Sequence, residues 1–238
     1  MAITTVLFDL DGTLLPMDLD EFIKTYFGSL AKKLSAHGYE PNKLVESVWK
    51  GTVAMIKNDG KKTNEEVFWE VFTQIYGEQA KGDLPHFDAF YRDHFDEIQS
   101  VCGYRKEAAE TVALVKELGF RVALATNPIF PAIATQKRMA WAGLSPDDFA
   151  FYTTYENSRY CKPNLHYYEE VLARLGVSGE ECLMVGNDVG EDMVARKLGM
   201  QVFLLTDCII NRKEEDISVY PHGGFADLKA YIKGLANE

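Results

Sequence analysis

Cysteine is scarce in this 238-residue chain, and its four copies, Cys102, Cys161, Cys182 and Cys208, are scattered without pattern. There is no CxxC pair and no Cys/His cluster, so neither a zinc site nor a disulfide framework is indicated. Isolated thiols of this kind are expected to be buried and free, as in a reducing cytoplasm. Long apolar runs are missing too. None approaches the ~18–20 residues that span a bilayer, and no membrane partner is expected. The opening Met1-Ala2-Ile3-Thr4-Thr5 has neither the basic start nor the apolar stretch of a secretion signal, which again points to the cytoplasm. Positive charge is in deficit. With 25 Lys+Arg against 36 Asp+Glu, the net charge of -11 sets up a field that repels phosphate backbones and argues against nucleic acid as a partner. A single small phosphate in a locally basic cleft is still compatible with that field. Internal repeats and low-complexity segments are absent.

What is present is enough apolar material, 47% of the residues, to bury a real core. The length exceeds a typical domain of ~100–150 residues, so one large or two unequal domains are expected. Ile3–Phe8 is β-branched and apolar nearly throughout, as for a strand buried on both faces of a parallel sheet. It stops at Asp9-Leu10-Asp11-Gly12-Thr13, where Asp-Gly signals a turn. Amphipathic stretches then dominate as far as about residue 100. Helices are expected over 19–37, 41–58, 63–76 and 86–100, the third opened by a Thr63/Glu66 capping box. After Gly103 helices and strands alternate. Helices are expected at 106–118, 131–142, 163–175 and 189–198, and strands at 120–125, 150–153, 182–185 and 201–205, the last of them. Such alternation implies right-handed crossovers and a parallel sheet between helical layers.

Four short patterns fall at strand ends or helix starts, the edge at which open α/β sheets hold ligands. In Asp9-Leu10-Asp11 two carboxylates leave a strand together and can offer hard oxygens to magnesium; the alternative is a polar turn. Thr126-Asn127 supplies a hydroxyl and an amide for phosphate oxygens, or a cap. Lys162, before Pro163, places an ammonium at a helix start, an anion site or a surface lysine. Asn187-Asp188-Val189-Gly190-Glu191-Asp192 crowds acids without basic neighbours in the sequence, which makes a bound cation physically attractive; Asp188 can also cap a helix. None is decisive singly.

Taken in order, Asp-x-Asp-Gly-Thr-Leu, Thr-Asn, Lys-Pro and Gly-Asn-Asp-x-x-x-Asp resemble the haloacid dehalogenase-like (HAD) superfamily along the whole chain. The resemblance implies a three-layer Rossmann-like core over 1–16 and 103–238, with a helical cap domain over 17–102. It implies a magnesium-dependent phosphatase acting on a small phosphorylated metabolite. Asp9 is then the nucleophile that forms an aspartyl-phosphate, and Asp11 the general acid/base. Thr126, Asn127 and Lys162 bind the substrate phosphate, and Asp9, Asp11, Asp188 and Asp192 serve the metal. The stretch Ser158-Arg159-Tyr160-Cys161 lacks the glycine common in relatives, and Asn187-Asp188 replaces the commoner Gly-Asp. Asp11 argues against dehalogenase and phosphonatase branches, which lack an acid there. A receiver domain carries its acceptor Asp on a later strand and no helical insertion after the first. A phosphomutase would keep the same residues, and a non-catalytic phosphate-binding module is the rival from another class. Trp49, Phe68, Trp69 and Phe72 are expected in the cap's core, and Glu21, Lys24, Arg92 and Arg159 to face water. Oligomeric state is not readable.

Overall fold

A computed structural model describes residues 2–237. Six parallel strands form one sheet in the order β3-β2-β1-β4-β5-β6. Here β1 is Thr5–Phe8, β2 Arg121–Leu124, β3 Phe151–Tyr152, β4 Cys182–Gly186, β5 Gln201–Leu205 and β6 His222–Gly223. The helices are α1 Leu19–Leu34, α2 Pro41–Ile56, α3 Asn64–Tyr76, α4 Leu84–Asp93, α5 Lys106–Glu117, α6 Ala132–Trp141, α7 Leu165–Leu175 and α8 Phe225–Leu235.

The strand β1 is central, with Val6 opposite Val122 on one side and Leu183 on the other. Its residues alternate between two cores. Val6 and Phe8 join Ala108, Val112, Met139, Leu228 and Ile232 of α5, α6 and α8. Leu7 joins Met184, Leu204 and the α7 residues Tyr167, Tyr168 and Val171. Two buried faces explain why β1 reads as an unbroken apolar run rather than an alternating one. The strand order reverses between β1 and β4, which opens a crevice at the carboxyl edge of these neighbours.

Helices α1 to α4 are inserted between β1 and α5. Asp18 caps α1 by accepting from the Glu21 amide (3.0 Å), and Thr63 and Glu66 form the predicted capping box of α3. Where the chain leaves and re-enters the sheet layer, Met17 and Cys102 pair in antiparallel fashion and the Gly103 amide donates to the Pro16 carbonyl (2.7 Å). Aromatic rings seat the inserted helices on the sheet layer. Tyr26 meets Phe130 at 5.2 Å between ring centroids, and Phe95 stacks on Trp141 at 5.2 Å. Among the described residues no helix is long and apolar enough to cross a membrane. All four cysteines are free, with Cys161 and Cys182 buried and Cys102 and Cys208 half-buried.

Several elements differ from the sequence expectation. The helix expected over 86–100 ends at Asp93, and a 3-10 stretch, Phe95–Val101, follows. The helix expected over 189–198 is a series of turns and a 3-10 stretch, Met193–Leu198. There the Asp188 side chain accepts from the Gly190 and Glu191 amides, an arrangement that competes with regular helical bonding. Helix α7 starts at Leu165, capped by Asn164, so Pro163 precedes the helix, and the Lys162–Pro163 peptide is cis. The sheet also runs one strand beyond Gln201–Leu205: β6 is too short to show periodicity, and it pairs with β5 at the edge.

Candidate active site

Asp9 follows β1 directly, and its amide donates to the Val185 carbonyl (2.9 Å), extending the ladder one residue past the strand. The chain then turns tightly, with the Thr13 and Leu15 amides donating to the Leu10 carbonyl at 3.1 and 2.8 Å. Gly12 has φ +82°, and a Cβ there would lie 2.3 Å from Asn187 Nδ2. Both the backbone conformation and the close approach call for glycine. The turn returns the Thr13 hydroxyl to 3.0 Å from Asp9 Oδ2 and 2.9 Å from Asn187 Oδ1, and it donates to one of them at a time.

The other Asp9 oxygen is held by Lys162, whose Nζ lies 2.9 Å from Asp9 Oδ1 and 2.7 Å from Asp192 Oδ1. Only 1% of the Lys162 side chain is exposed. Burial pulls its pKa down, but Asp192 and Asp9 outweigh burial and hold the ammonium well above the usual lysine range. The second Asp192 oxygen accepts from the Asp188 amide (3.0 Å). Gly186, at the end of β4, leaves room for it: a Cβ there would lie 2.1 Å from Asp192 Oδ2.

Asp188 spends one oxygen on the Gly190 and Glu191 amides and accepts from Arg212 Nη1 (2.9 Å) with the other. Asp11 pairs with Arg138 of α6, while its Oδ1 is enclosed without a hydrogen-bond partner among the described residues. Burial raises the Asp11 carboxyl above its ordinary range, with Arg138 opposing and Asp9 adding to the rise. Arg138 is fully buried and lies over the Phe130 ring at 4.5 Å. Following β2, the Thr126 carbonyl accepts from the Tyr167 and Thr153 hydroxyls (2.9 and 2.6 Å), and Asn127 donates to Glu191 (3.1 Å). Burial, opposed by Lys162 and reinforced by neighbouring acids, pushes Glu191 up to about 7.

One cavity of about 360 Å³ is lined by Asp9, Asp11, Thr126, Asn127, Asp188 and Asp192 together. Lys162 is not one of the lining residues but is bonded to Asp9, which is. The acids after β4 do have basic neighbours, contrary to the sequence expectation, because folding delivers Lys162 and Arg212 to them. Lys162 lies before the N-cap of α7, Asn164, rather than in the helix's first turn. Sequence reasoning missed Thr13, Arg138, Glu191 and Arg212 as site residues. Thr13 carried a signal within its motif; Arg138 and Arg212 looked like any surface cation. Arg159, Glu21, Lys24 and Arg92 are exposed as expected. Phe68 and Phe72 are buried, but Phe68, Trp69 and Trp49 line the cavity, and Trp49 is half exposed rather than core.

Whether these groups suit magnesium is a question of donor chemistry. Asp9, Asp11 and Asp188 offer hard carboxylate oxygens in one pocket, and the enclosed Asp11 Oδ1 has an unused lone pair. In chemical type the set fits. Among the described residues, however, no three acids, histidines or cysteines stand close enough to hold an ion together, and Asp11 and Asp188 each face an arginine.

A parallel α/β sheet that gathers carboxylates and a buried lysine at its switch-point crevice defines a class of enzyme core. A family model described as haloacid dehalogenase-like hydrolase matches residues 3–199. The chain therefore belongs to the haloacid dehalogenase-like hydrolase family. It is similar to pyrophosphatase PpaX of Bacillus cereus, 27% identical over 79% of this chain and 76% of that protein. Solved structures share the fold. One is a HAD phosphatase from Thermococcus onnurineus (TM-score 0.59, 18% identity, 98% of this chain and 99% of that one). Another is a 2-haloacid dehalogenase from Pseudomonas syringae (TM-score 0.63, 20% identity, 98% of each chain). A third, the putative HAD-hydrolase YfnB from Bacillus subtilis, was solved bound to magnesium (TM-score 0.56, 18% identity, 98% and 99%).

Proposed function

We propose that this chain is a magnesium-dependent phosphatase that hydrolyses a small phosphorylated metabolite through an aspartyl-phosphate on Asp9. The observation that carries the proposal is Lys162, buried and bonded to both Asp9 and Asp192 at 2.9 and 2.7 Å. A phosphate dianion repels an attacking carboxylate, and a buried cation beside the nucleophile offsets that repulsion in the transition state. Asp9 attacks phosphorus and forms a new P–O bond while the bond to the leaving alcohol breaks. Asp11, raised by burial, gives that oxygen its proton. The alcohol leaves, Asp11 takes a proton from water, and the water oxygen attacks phosphorus to release phosphate and restore Asp9. Thr126 and Asn127, both on the cavity wall, orient the phosphate oxygens. Asp192 fixes Lys162, to which it is bonded at 2.7 Å.

Magnesium, when bound, would be held by Asp9, Asp188 and the Asp11 carbonyl, and supplies charge neutralisation for the phosphate oxygens. Asp188 keeps Arg212 on one oxygen and has further lone pairs for that role. The helices over 17–102 act as a cap on the core formed by 1–16 and 103–238, and the paired segments at Pro16–Met17 and Cys102–Gly103 are its hinges. Phosphate release from p-nitrophenyl phosphate, a panel of phosphorylated metabolites and pyrophosphate tests the proposal, with and without magnesium. Turnover should require the ion and vanish in Asp9→Asn. Undiminished turnover by that variant at saturating magnesium would overturn it.

A further inference from the structure

Away from the carboxylates the cavity is walled by apolar side chains of the inserted helices, among them Ile23, Phe27, Val48, Phe68 and Trp69, with Trp49 half exposed. Among its described lining residues Arg212 is the only lysine or arginine, and it is already paired with Asp188 at the acid end. The one charged side chain that the inserted helices contribute to the lining is an acid, Asp88. A second anionic group on a bound phosphate, such as a carboxylate or another phosphoryl, would lose water and meet mainly aromatic rings and a like charge in exchange, because the Tyr26 and Tyr91 hydroxyls bond each other (2.7 Å) and the Thr52 hydroxyl donates to the Val48 carbonyl (3.0 Å). Buried anions persist only where donors or cations replace that water. An apolar body in the same space covers aromatic surface at no such cost.

From this lining we infer that the alcohol released by the enzyme is apolar, alkyl or aromatic, and carries no second anionic group. The inference rests on the phosphatase assignment above and narrows it. It also separates this chain's substrate from pyrophosphate, the ligand that the name of its relative PpaX implies.

The test is kcat/KM with magnesium for n-alkyl phosphates from ethyl to hexyl and for benzyl phosphate, beside phosphoglycolate and pyrophosphate. These alkyl and benzyl esters share a similar leaving oxygen, so differences report the body of the alcohol. Each added methylene should raise kcat/KM about fourfold until the cavity fills. Hexyl and benzyl phosphate should exceed both doubly anionic compounds by more than about tenfold. Ile56, at the lining and 43% exposed, can be replaced by lysine without opening the core. Ile56→Lys should lower kcat/KM for hexyl phosphate and raise it for phosphoglycolate, with the fold checked by circular dichroism. A flat alkyl series, or preference for phosphoglycolate or pyrophosphate, overturns the inference and leaves the phosphatase standing. Release of phosphate from none of the compounds overturns both.

Discussion

Replacement of Arg138 by methionine isolates the interaction on which the position of Asp11 depends. The guanidinium is fully buried, pairs with Asp11, and lies 4.5 Å from the Phe130 ring centroid. Removing one partner of a buried pair costs about 3–5 kcal/mol, because the other charge is left without compensation. The Asp11 side chain is still 22% exposed, so water and protonation soften the loss toward the lower end, about 3 kcal/mol. Methionine keeps much of the volume over Phe130 but forfeits the cation–π attraction, about 1 kcal/mol. For a chain of this length the sum, about 4 kcal/mol, lowers Tm by roughly 8–16 °C. Asp11→Asn alone should be destabilising as well, since it strands the buried guanidinium. The double variant removes both charges and should recover about 2 kcal/mol relative to the sum of the singles. Urea denaturation of the four proteins gives the coupling directly. Additivity within about 0.5 kcal/mol would refute the account, because the two side chains would then not depend on each other.

Lys162→Met should lower turnover by about 10²–10³-fold, the scale of losing one charge-stabilising donor, with Asp192 left buried and unpaired; phosphate release within tenfold of the parent contradicts this. Gly12→Ala forces a side chain into a left-handed backbone and against Asn187, and should cost about 1–2 kcal/mol with reduced turnover; an unchanged melting curve would show that the turn relaxes freely. In the folded protein at pH 8, iodoacetamide should spare Cys161 and Cys182. Both are buried, and burial pushes the Cys182 thiol up to about 12, so thiolate is rare there. Mass spectrometry that finds either one alkylated before unfolding argues against the packing described.

The sequence by itself determined the elements whose signal is local. An unbroken apolar run was enough for β1 because both its faces are covered, and the Thr63/Glu66 pair announced the start of α3 from bonds between neighbours in the chain. The order of the motifs was likewise sufficient to name the family, since each sits where a strand ends. Where side-chain bonding competes with the backbone, local pattern misled: Asp188 turns the following residues out of a helix, and Asn164 delays α7 beyond Pro163. Only the tertiary structure decided which charges meet. Lys162 lies 153 residues from Asp9, and Arg138 lies 127 residues from Asp11. Nothing in the spacing distinguishes either from a solvated cation. The lining of the cavity belongs to the same class, because whether an aromatic on an amphipathic helix faces a core or an opening depends on what packs against it. Periodicity gives a side chain's direction around its own helix, and only the assembled fold gives what lies in that direction.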